Sequence, residues 1–392
     1  MTDSGKSPIG GPILGVVGGG QLARMTQQAA IALGVPIKLL AEGPDVSAAQ
    51  VVRDPVIGDY RDVDTLLQFA ADCAVVTFDH EHVPIDHLRA LERAGYPCRP
   101  GPDALLHAQD KACMRARLQS LEVACPRWTL VSSSEEVRVF AESAVGWPVV
   151  LKTARGGYDG KGVWVVREPS EATEPISQGA KLAEEWVDFR RELSVLVARS
   201  PSGQTAVYPV VESIQFDGVC REVIAPAPHL TETMSVDAQQ IALTTAGALG
   251  VVGVMAIELF ETKDGRILVN ELAMRPHNTG HWTIEGAITS QFENHVRAVL
   301  DLPLGAPRAR ARWTVMVNIL GSRIGDLYDG YLHAMARDPR LKVHVYGKVV
   351  EPGRKLGHVT AYGDDLEDAL QRARHAAAWF QGDLGNESVE ES

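Results

Sequence analysis

Two carboxylates pose the first chemical question. Glu258 lies in the run Val254-Met255-Ala256-Ile257-Glu258-Leu259-Phe260, and Glu271 in Ile267-Leu268-Val269-Asn270-Glu271-Leu272. Between the runs sits Lys263-Asp264-Gly265-Arg266, and Asp-Gly is a preferred centre for a two-residue hairpin turn. A turn there predicts that Glu258 and Glu271 stand opposite each other on one face. Like charges opposed at about 5 Å in apolar sequence destabilise a sheet unless a cation lies between them. Mg²⁺ suits such a pair, because it takes oxygen ligands and lets nucleotide phosphates complete its shell. The alternative is a solvated pair, or one acid kept protonated. In this register Asn270 points to the opposite face, off the metal unless the strand is bulged.

A second cluster is Gly156-Gly157-Tyr158-Asp159-Gly160-Lys161-Gly162, preceded by Lys152. Glycines without Cβ let backbone N–H groups fold over a polyphosphate, and the lysines add charge. No Ser or Thr follows the lysine and no helix follows the loop, so it is not a P-loop. A hairpin tip without function is the alternative. A third cluster, Arg275-Pro276-His277-Asn278-Thr279-Gly280-His281-Trp282, leaves the Glu271 strand and suits an anionic or polar substrate. The fourth, Tyr346-Gly347-Lys348 with Gly353-Arg354-Lys355, is a basic patch suited to a phosphate, or else a solvated strand end. The loop Gly18-Gly19-Gly20-Gln21-Leu22-Ala23 fits G-x-G-x-x-A, and Glu42 follows the next strand where a ribose-binding acid belongs. That pattern alone is equally consistent with a dinucleotide enzyme, another anion at a helix N-terminus, or plain strand–helix packing.

The elements that position these clusters follow from periodicity. Ile13–Val17, a helix over Gln21–Leu33 and a strand at Ile37–Leu40 begin a doubly wound α/β domain, with a further strand at Ala74–Phe78 and a helix at Ile85–Ala94. Arg99-Pro100-Gly101-Pro102 ends it. Asp103–Leu121 reads as a helical stretch, and strands at 149–152 and 163–166 flank the second glycine loop in antiparallel fashion. Strand-rich sequence follows from 192 to 211 and 251 to 272, broken by a helix over Val236–Ala248. Strands from Trp313 and over Val343–Val350, then an amphipathic helix over Asp365–Phe380, complete the chain. The expected division is a tail at 1–12, domains at 13–102, 103–305 and 306–381, and an acidic tail at 382–392.

The chain has 392 residues and a net charge of −12, which argues for several domains and against a nucleic-acid surface. Its five cysteines are scattered without C-x-x-C spacing, as expected of reduced thiols in a cytoplasmic protein. No signal peptide or membrane-spanning run is expected.

Taken together the residues resemble the 5-(carboxyamino)imidazole ribonucleotide synthase family of ATP-grasp enzymes. The motifs carrying the resemblance are Gly18–Leu22, Thr77-Phe78-Asp79-His80-Glu81-His82-Val83, the Gly156–Gly162 loop, Asn270–Ala273, His277–Trp282 and the Lys348/Arg354 patch. The resemblance implies an α/β (α+β) ATP-grasp fold with a Rossmann-like first domain and a small β-rich C-terminal domain. It implies a homodimer with ATP and Mg²⁺ (Mn²⁺ as a substitute). The implied reaction carboxylates aminoimidazole ribonucleotide with bicarbonate through carboxyphosphate, with no nucleic-acid or membrane partner. By position Lys111 and Lys152 match phosphate contacts, and Gly157, Tyr158, Asp159, Gly160, Lys161, Gly162 and Val163 match the loop over the phosphates. Glu184, Glu185, Trp186 and Val187 match an adenine-binding linker, Glu192 a ribose contact, and Gln215, Asn270 and Glu271 further nucleotide contacts. Glu258 and Glu271 match metal ligands. Gln21, Glu81, Tyr158, Arg275, His277, Asn278, Lys348 and Arg354 match the ribonucleotide site, with Tyr158, Asp159, Arg275 and Lys348 as the catalytic set. Asp159 is the candidate for the amine proton. Gln215, Asp79, Met274 and Glu351 depart from the family's usual residues. Rival readings are another ATP-grasp carboxylase or ligase, a dinucleotide-dependent oxidoreductase, and a non-catalytic nucleotide-binding regulator.

Overall fold

The computed structural model describes residues 11–157, 160–321, 323 and 325–384. Most of the 1–12 segment, residues 385–392 of the acidic tail, and Tyr158 and Asp159 lie outside the described residues. The first unit contains β1 (Leu14–Val17), α1 (Gln21–Ala32), β2 (Ile37–Ala41), β3 (Val56–Ile57), α2 (Val63–Ala70), β4 (Val75–Phe78) and α3 (Ile85–Arg93). Its strands form a parallel sheet in the order β3-β2-β1-β4. Every residue of β1 and β4 is buried, as parallel strands covered on both faces require.

The helical stretch expected over Asp103–Leu121 holds two helices, α4 (Pro102–Gln109) and α5 (Lys111–Ser120). Asp110 leaves helical geometry between them and caps α5, its carboxylate accepting from the Cys113 N–H at 3.0 Å. An aspartate is a strong N-cap precisely because its oxygen competes for such orphan donors. Next comes a small lobe of β5 (Trp128–Val131), α6 (Ser134–Phe140), β6 (Val149–Thr153), β7 (Val163–Val166), α7 (Thr173–Ser177) and β8 (Lys181–Glu185). Its sheet runs β5-β8-β6-β7, and β6 and β7 pair antiparallel around the glycine loop as expected.

The remaining strands are β9 (Phe189–Arg199), β10 (Thr205–Val207), β11 (Val211–Phe216), β12 (Val219–Ala225), β13 (Gly253–Thr262), β14 (Ile267–Ala273), β15 (Trp313–Leu320), β16 (Lys342–Val345) and β17 (Lys355–Gly363). The helices among them are α8 (Glu232–Ala248), α9 (Thr283–Gly286), α10 (Gln291–Val299), α11 (Gly330–Arg337) and α12 (Leu366–Gln381). These strands make one sheet, β14-β13-β9-β11-β12-β15-β17-β16, with β10 beside β9. The C-terminal strands thus extend the central sheet through the β12–β15 pairing. The expected last strand over Val343–Val350 stops at Val345, residues 346–354 form a crossing loop, and β17 follows it. Helix α8 starts four residues earlier than expected because Thr231 caps it, accepting from Met234 N–H. One apolar cluster runs from Phe69, Phe78 and Leu88 through Met114 and Leu118 to Leu193, Ile257 and Val269. It fuses the first unit, α5 and the central sheet into a single core. All five cysteines are free thiols, and no helix among the described residues is long and apolar enough to cross a membrane.

Candidate functional site

The three units enclose a cleft of about 1380 Å³ lined by the candidate residues within the described segments, with the exception of Gly162. Its floor is the β13–β14 hairpin, where Glu258 stands opposite Glu271 as expected. The route to that pairing differs from the expectation. The turn has three residues, Lys263-Asp264-Gly265, closed by Thr262 N–H to the Arg266 carbonyl at 2.9 Å, with Gly265 at φ +84°. That turn moves the register by one residue, and a bulge beyond Glu258 moves it back. The bulged residue is Asn270. Asn270 therefore turns into the cleft, where its Oδ1 accepts from Lys152 Nζ at 3.1 Å, instead of pointing to the other face.

The hairpin carries concentrated negative charge. Burial, then Glu271 and Glu192, push the Glu258 carboxyl up to about 8 against the pull of Lys355 and Arg275. Glu192 on β9 is raised to about 7, chiefly by burial, with Lys152 opposing. Lys111 at the start of α5 pairs with Glu271 at 3.0 Å. Among the described residues no group of three or more His, Cys, Asp or Glu forms a self-sufficient metal cage. Two opposed carboxylates, one of them with its proton affinity raised by its neighbours, fit a hard divalent cation whose other ligands come from a bound phosphate.

Beside the hairpin a buried ion network was missed by the sequence reading. Arg115 donates through Nε to Glu184 at 2.6 Å, and through its terminal nitrogens to the carbonyls of Val269 at 3.0 Å and Asn270 at 2.8 Å. It therefore fastens α5 to the bulge. Lys152 meets the other oxygen of Glu184 at 2.7 Å. Burial alone would raise the Glu184 carboxyl, but Lys152 and Arg115 outweigh it and hold it at about 2. Arg115 follows Lys111 by four residues, so both sit on one helix face, a signal available in the sequence. Glu185 is taken by Arg127 at 2.7 Å, so in residues 184–187 the two glutamate side chains are already engaged, while half-exposed Trp186 and Val187 face the cleft. Val150, Val165 and Phe260, also unforeseen, add an apolar wall. Gly157, Gly160, Lys161 and Val163 line the cleft, and so does Gln215, where the β11–β12 register shifts. Gly157 needs its lack of Cβ: at φ +82° an added methyl would lie 2.6 Å from the Lys161 carbonyl.

The other end of the cleft joins the first unit to the C-terminal loop. Arg275 Nε binds Glu81 at 2.8 Å, and the second Glu81 oxygen accepts from the Met274 N–H at 2.9 Å. His277 places Nε2 3.4 Å from Glu258 and Nδ1 2.8 Å from Thr279 Oγ1. Burial, then Arg275 and Lys355, keep its imidazole neutral at pH 7. Asn278 has a buried amide nitrogen without a protein partner. Lys348 Nζ donates to Gln21 Oε1 at 2.6 Å, while Arg354 lies 3.4 Å from Glu351. The loop is pinned to the first unit by Ser47 Oγ on the Tyr346 carbonyl at 2.6 Å and Gln50 Nε2 on the Gly347 carbonyl at 2.6 Å. Lys355, noted in the sequence only as part of the patch, also lines the cleft.

The first glycine loop is occupied by the protein itself. Asp79 accepts from the Gly20 N–H and, at 3.1 Å, from the Ala23 N–H. Glu42 accepts from Gly19 N–H at 3.2 Å and sits 3.4 Å from His80 Nε2. The donors at the N-terminus of α1 that would cradle a pyrophosphate are spent on these carboxylates. This removes the oxidoreductase alternative and the ribose role for Glu42.

Comparison with known proteins agrees. Residues 12–109 match the ribonucleotide synthetase preATP-grasp domain, 116–292 the ATP-grasp domain, and 314–372 the phosphoribosylaminoimidazole carboxylase C-terminal domain. The N5-carboxyaminoimidazole ribonucleotide synthase of Mycobacterium tuberculosis is 52% identical over 377 residues, covering 94% of this chain and 88% of that one. That of Corynebacterium ammoniagenes is 48% identical, covering 94% and 92%. The ADP complex of an N5-carboxyaminoimidazole ribonucleotide synthetase superposes with TM-score 0.87 at 36% identity, over 97% of this chain and 98% of that one. The Aspergillus clavatus enzyme in complex with ADP and 5-aminoimidazole ribonucleotide superposes with TM-score 0.86 at 29% identity, over 94% and 98%. Three domain matches in order, and relatives aligned over nearly their whole length, leave one conclusion: this chain belongs to the N5-carboxyaminoimidazole ribonucleotide synthase family of ATP-grasp ligases.

Proposed function

We propose that the chain uses Mg-ATP and bicarbonate to carboxylate the amine of 5-aminoimidazole ribonucleotide, releasing ADP and phosphate in purine biosynthesis. The observation that carries this reading is a single cleft with two chemically distinct ends. One end offers opposed carboxylates, lysines and a glycine loop to a nucleotide; the other offers Arg275, His277, Asn278, Gln21, Lys348 and Arg354 to a polar phosphate monoester.

In this reading Lys111, Lys152 and the backbone of Gly157–Gly162 hold the ATP phosphates, and Asn270 orients Lys152. The apolar wall of Val150, Val165, Trp186 and Phe260 accepts the base, with Glu184–Val187 as its linker, and Glu192 and Gln215 lie toward the sugar. Glu258 and Glu271 would hold Mg²⁺, which when bound neutralises phosphate charge. The γ-phosphoryl group passes to a bicarbonate oxygen, giving carboxyphosphate and ADP. Carboxyphosphate breaks into CO₂ and phosphate, and the substrate amine attacks the CO₂ carbon and loses a proton. By the family resemblance Tyr158 belongs to the substrate site and Asp159 takes that proton, both residues lying outside the described segments. Lys348 and Arg354 bind the ribonucleotide phosphate, while Arg275, held by Glu81, and His277 orient the ring. The same reading divides the chain at 13–102, 103–305 and 306–381 and makes it a cytoplasmic homodimer.

The test is ADP release with each of Mg²⁺, bicarbonate and aminoimidazole ribonucleotide omitted in turn. Full turnover is expected only with all present. ADP release indifferent to the ribonucleotide would move the chain to another ATP-grasp carboxylase.

A further inference from the structure

His277 lies beyond the end of β14, in a segment that pairs with no strand among the described residues. Its backbone nevertheless makes a ladder-like pair, and the partner is a side chain. Gln291 Oε1 accepts from the His277 N–H at 2.8 Å, and Gln291 Nε2 donates to the His277 carbonyl at 2.8 Å. The same nitrogen donates to His281 Nδ1 at 3.1 Å. An N–H that needs an acceptor and a carbonyl that needs a donor fix which way the amide faces. Gln291 is fully buried and begins α10, whose N-cap Ser290 accepts from Glu293 N–H at 3.1 Å. Its own N–H donates to Thr283 Oγ1 at 2.9 Å. Gly280 makes room for it: a methyl there would lie 2.4 Å from Gln291 Oε1. The His277 ring is held separately, through Thr279 Oγ1 and on to Ser194 Oγ at 2.7 Å.

We infer that Gln291 is a positioning residue for the ribonucleotide end of the cleft, its amide standing in for the missing strand so that the His277 imidazole is held on the substrate side. A helix-borne amide is a stiffer support than the loop itself, and a misplacement of about 1 Å can cost on the order of a hundredfold in rate. The inference rests on the function proposed above. It does not extend to the phosphate contacts Lys111 and Lys152, which sit on other elements; Glu258, 3.4 Å from the His277 ring, is where the two ends meet.

The test uses Gln291→Met, which keeps length and loses both hydrogen-bonding edges, and Gln291→Glu, which keeps the acceptor and loses the donors. Both should raise KM for aminoimidazole ribonucleotide at least tenfold and leave KM for ATP within twofold. The His277 ring resonances in histidine-labelled protein should shift or broaden in both. Unchanged KM values with wild-type His277 resonances overturn the inference, as does a parallel change in both KM values. If neither variant folds, Gln291 is a folding residue and the local role is equally overturned. Wild-type protein that ignores aminoimidazole ribonucleotide would refute the functional reading instead, while the His277 resonances would still decide on the clamp.

Discussion

Replacing Glu184 by Gln removes the charge shared by Arg115 and Lys152 while keeping the side-chain shape. Arg115 is 1% exposed and Glu184 2%, so solvent cannot take over the lost partner. Holding the carboxyl at about 2 instead of its ordinary 4.5, at about 1.36 kcal/mol per tenfold change in acidity, corresponds to about 3 kcal/mol. Removing one partner of a buried pair costs about 3–5 kcal/mol in general, because the remaining charge is stranded. Glu184→Gln should therefore destabilise the protein by about 3 kcal/mol, measured by urea unfolding with tryptophan fluorescence in EDTA. The sign of the pH effect follows from the lowered pKa of Glu184. The stabilisation is complete above about pH 4.5 and is lost as pH falls through about 2, so the deficit should be constant from pH 5 to 8. Adding Arg115→Met should cost less than the sum of the single changes, since both ends of the pair are then gone. A deficit below about 1 kcal/mol at pH 7, or one that widens between pH 8 and 5, would refute the reasoning.

Glu258→Gln should act oppositely on stability. A carboxyl raised to about 8 makes the fold bind a proton that the unfolded chain has lost, so stability falls as pH rises from about 4.5 through 8. A fifth of the Glu258 side chain still meets the cleft, and a proton on Glu258 also relieves Glu192, so a gain of about 1–3 kcal/mol at pH 9 is expected rather than the full amount. Thermal unfolding in EDTA at pH 5 and 9 checks it, and ADP release should fall by orders of magnitude in the same variant. Gly157→Ala places a methyl against the Lys161 carbonyl and should raise KM for ATP at least about tenfold with little change in melting temperature. Lys348→Ala and Arg354→Ala should each raise KM for aminoimidazole ribonucleotide by about tenfold or more, since hydrogen bonds to charged groups contribute about 1.5–3 kcal/mol. Equal rises for both substrates would point away from a phosphate role.

What the sequence determined by itself was local. The alternation of β1, α1 and β2, the antiparallel strands around the glycine loop, and the facing of Glu258 and Glu271 all follow from side-chain periodicity and turn chemistry within about twenty residues. Even there the agreement hid compensating features: a three-residue turn and the bulge at Asn270 each move the register by one. Only the tertiary structure decided how distant segments share polar groups. Asp79 fills the helix end 59 residues before it, Arg115 reaches the bulge carbonyls 154 and 155 residues away, and Lys348 meets Gln21 across 327 residues. A periodic pattern says which face of an element is apolar, but not which buried donor will find which acceptor. That choice is made when the core closes and every polar group removed from water must be matched with whatever the packing brings beside it.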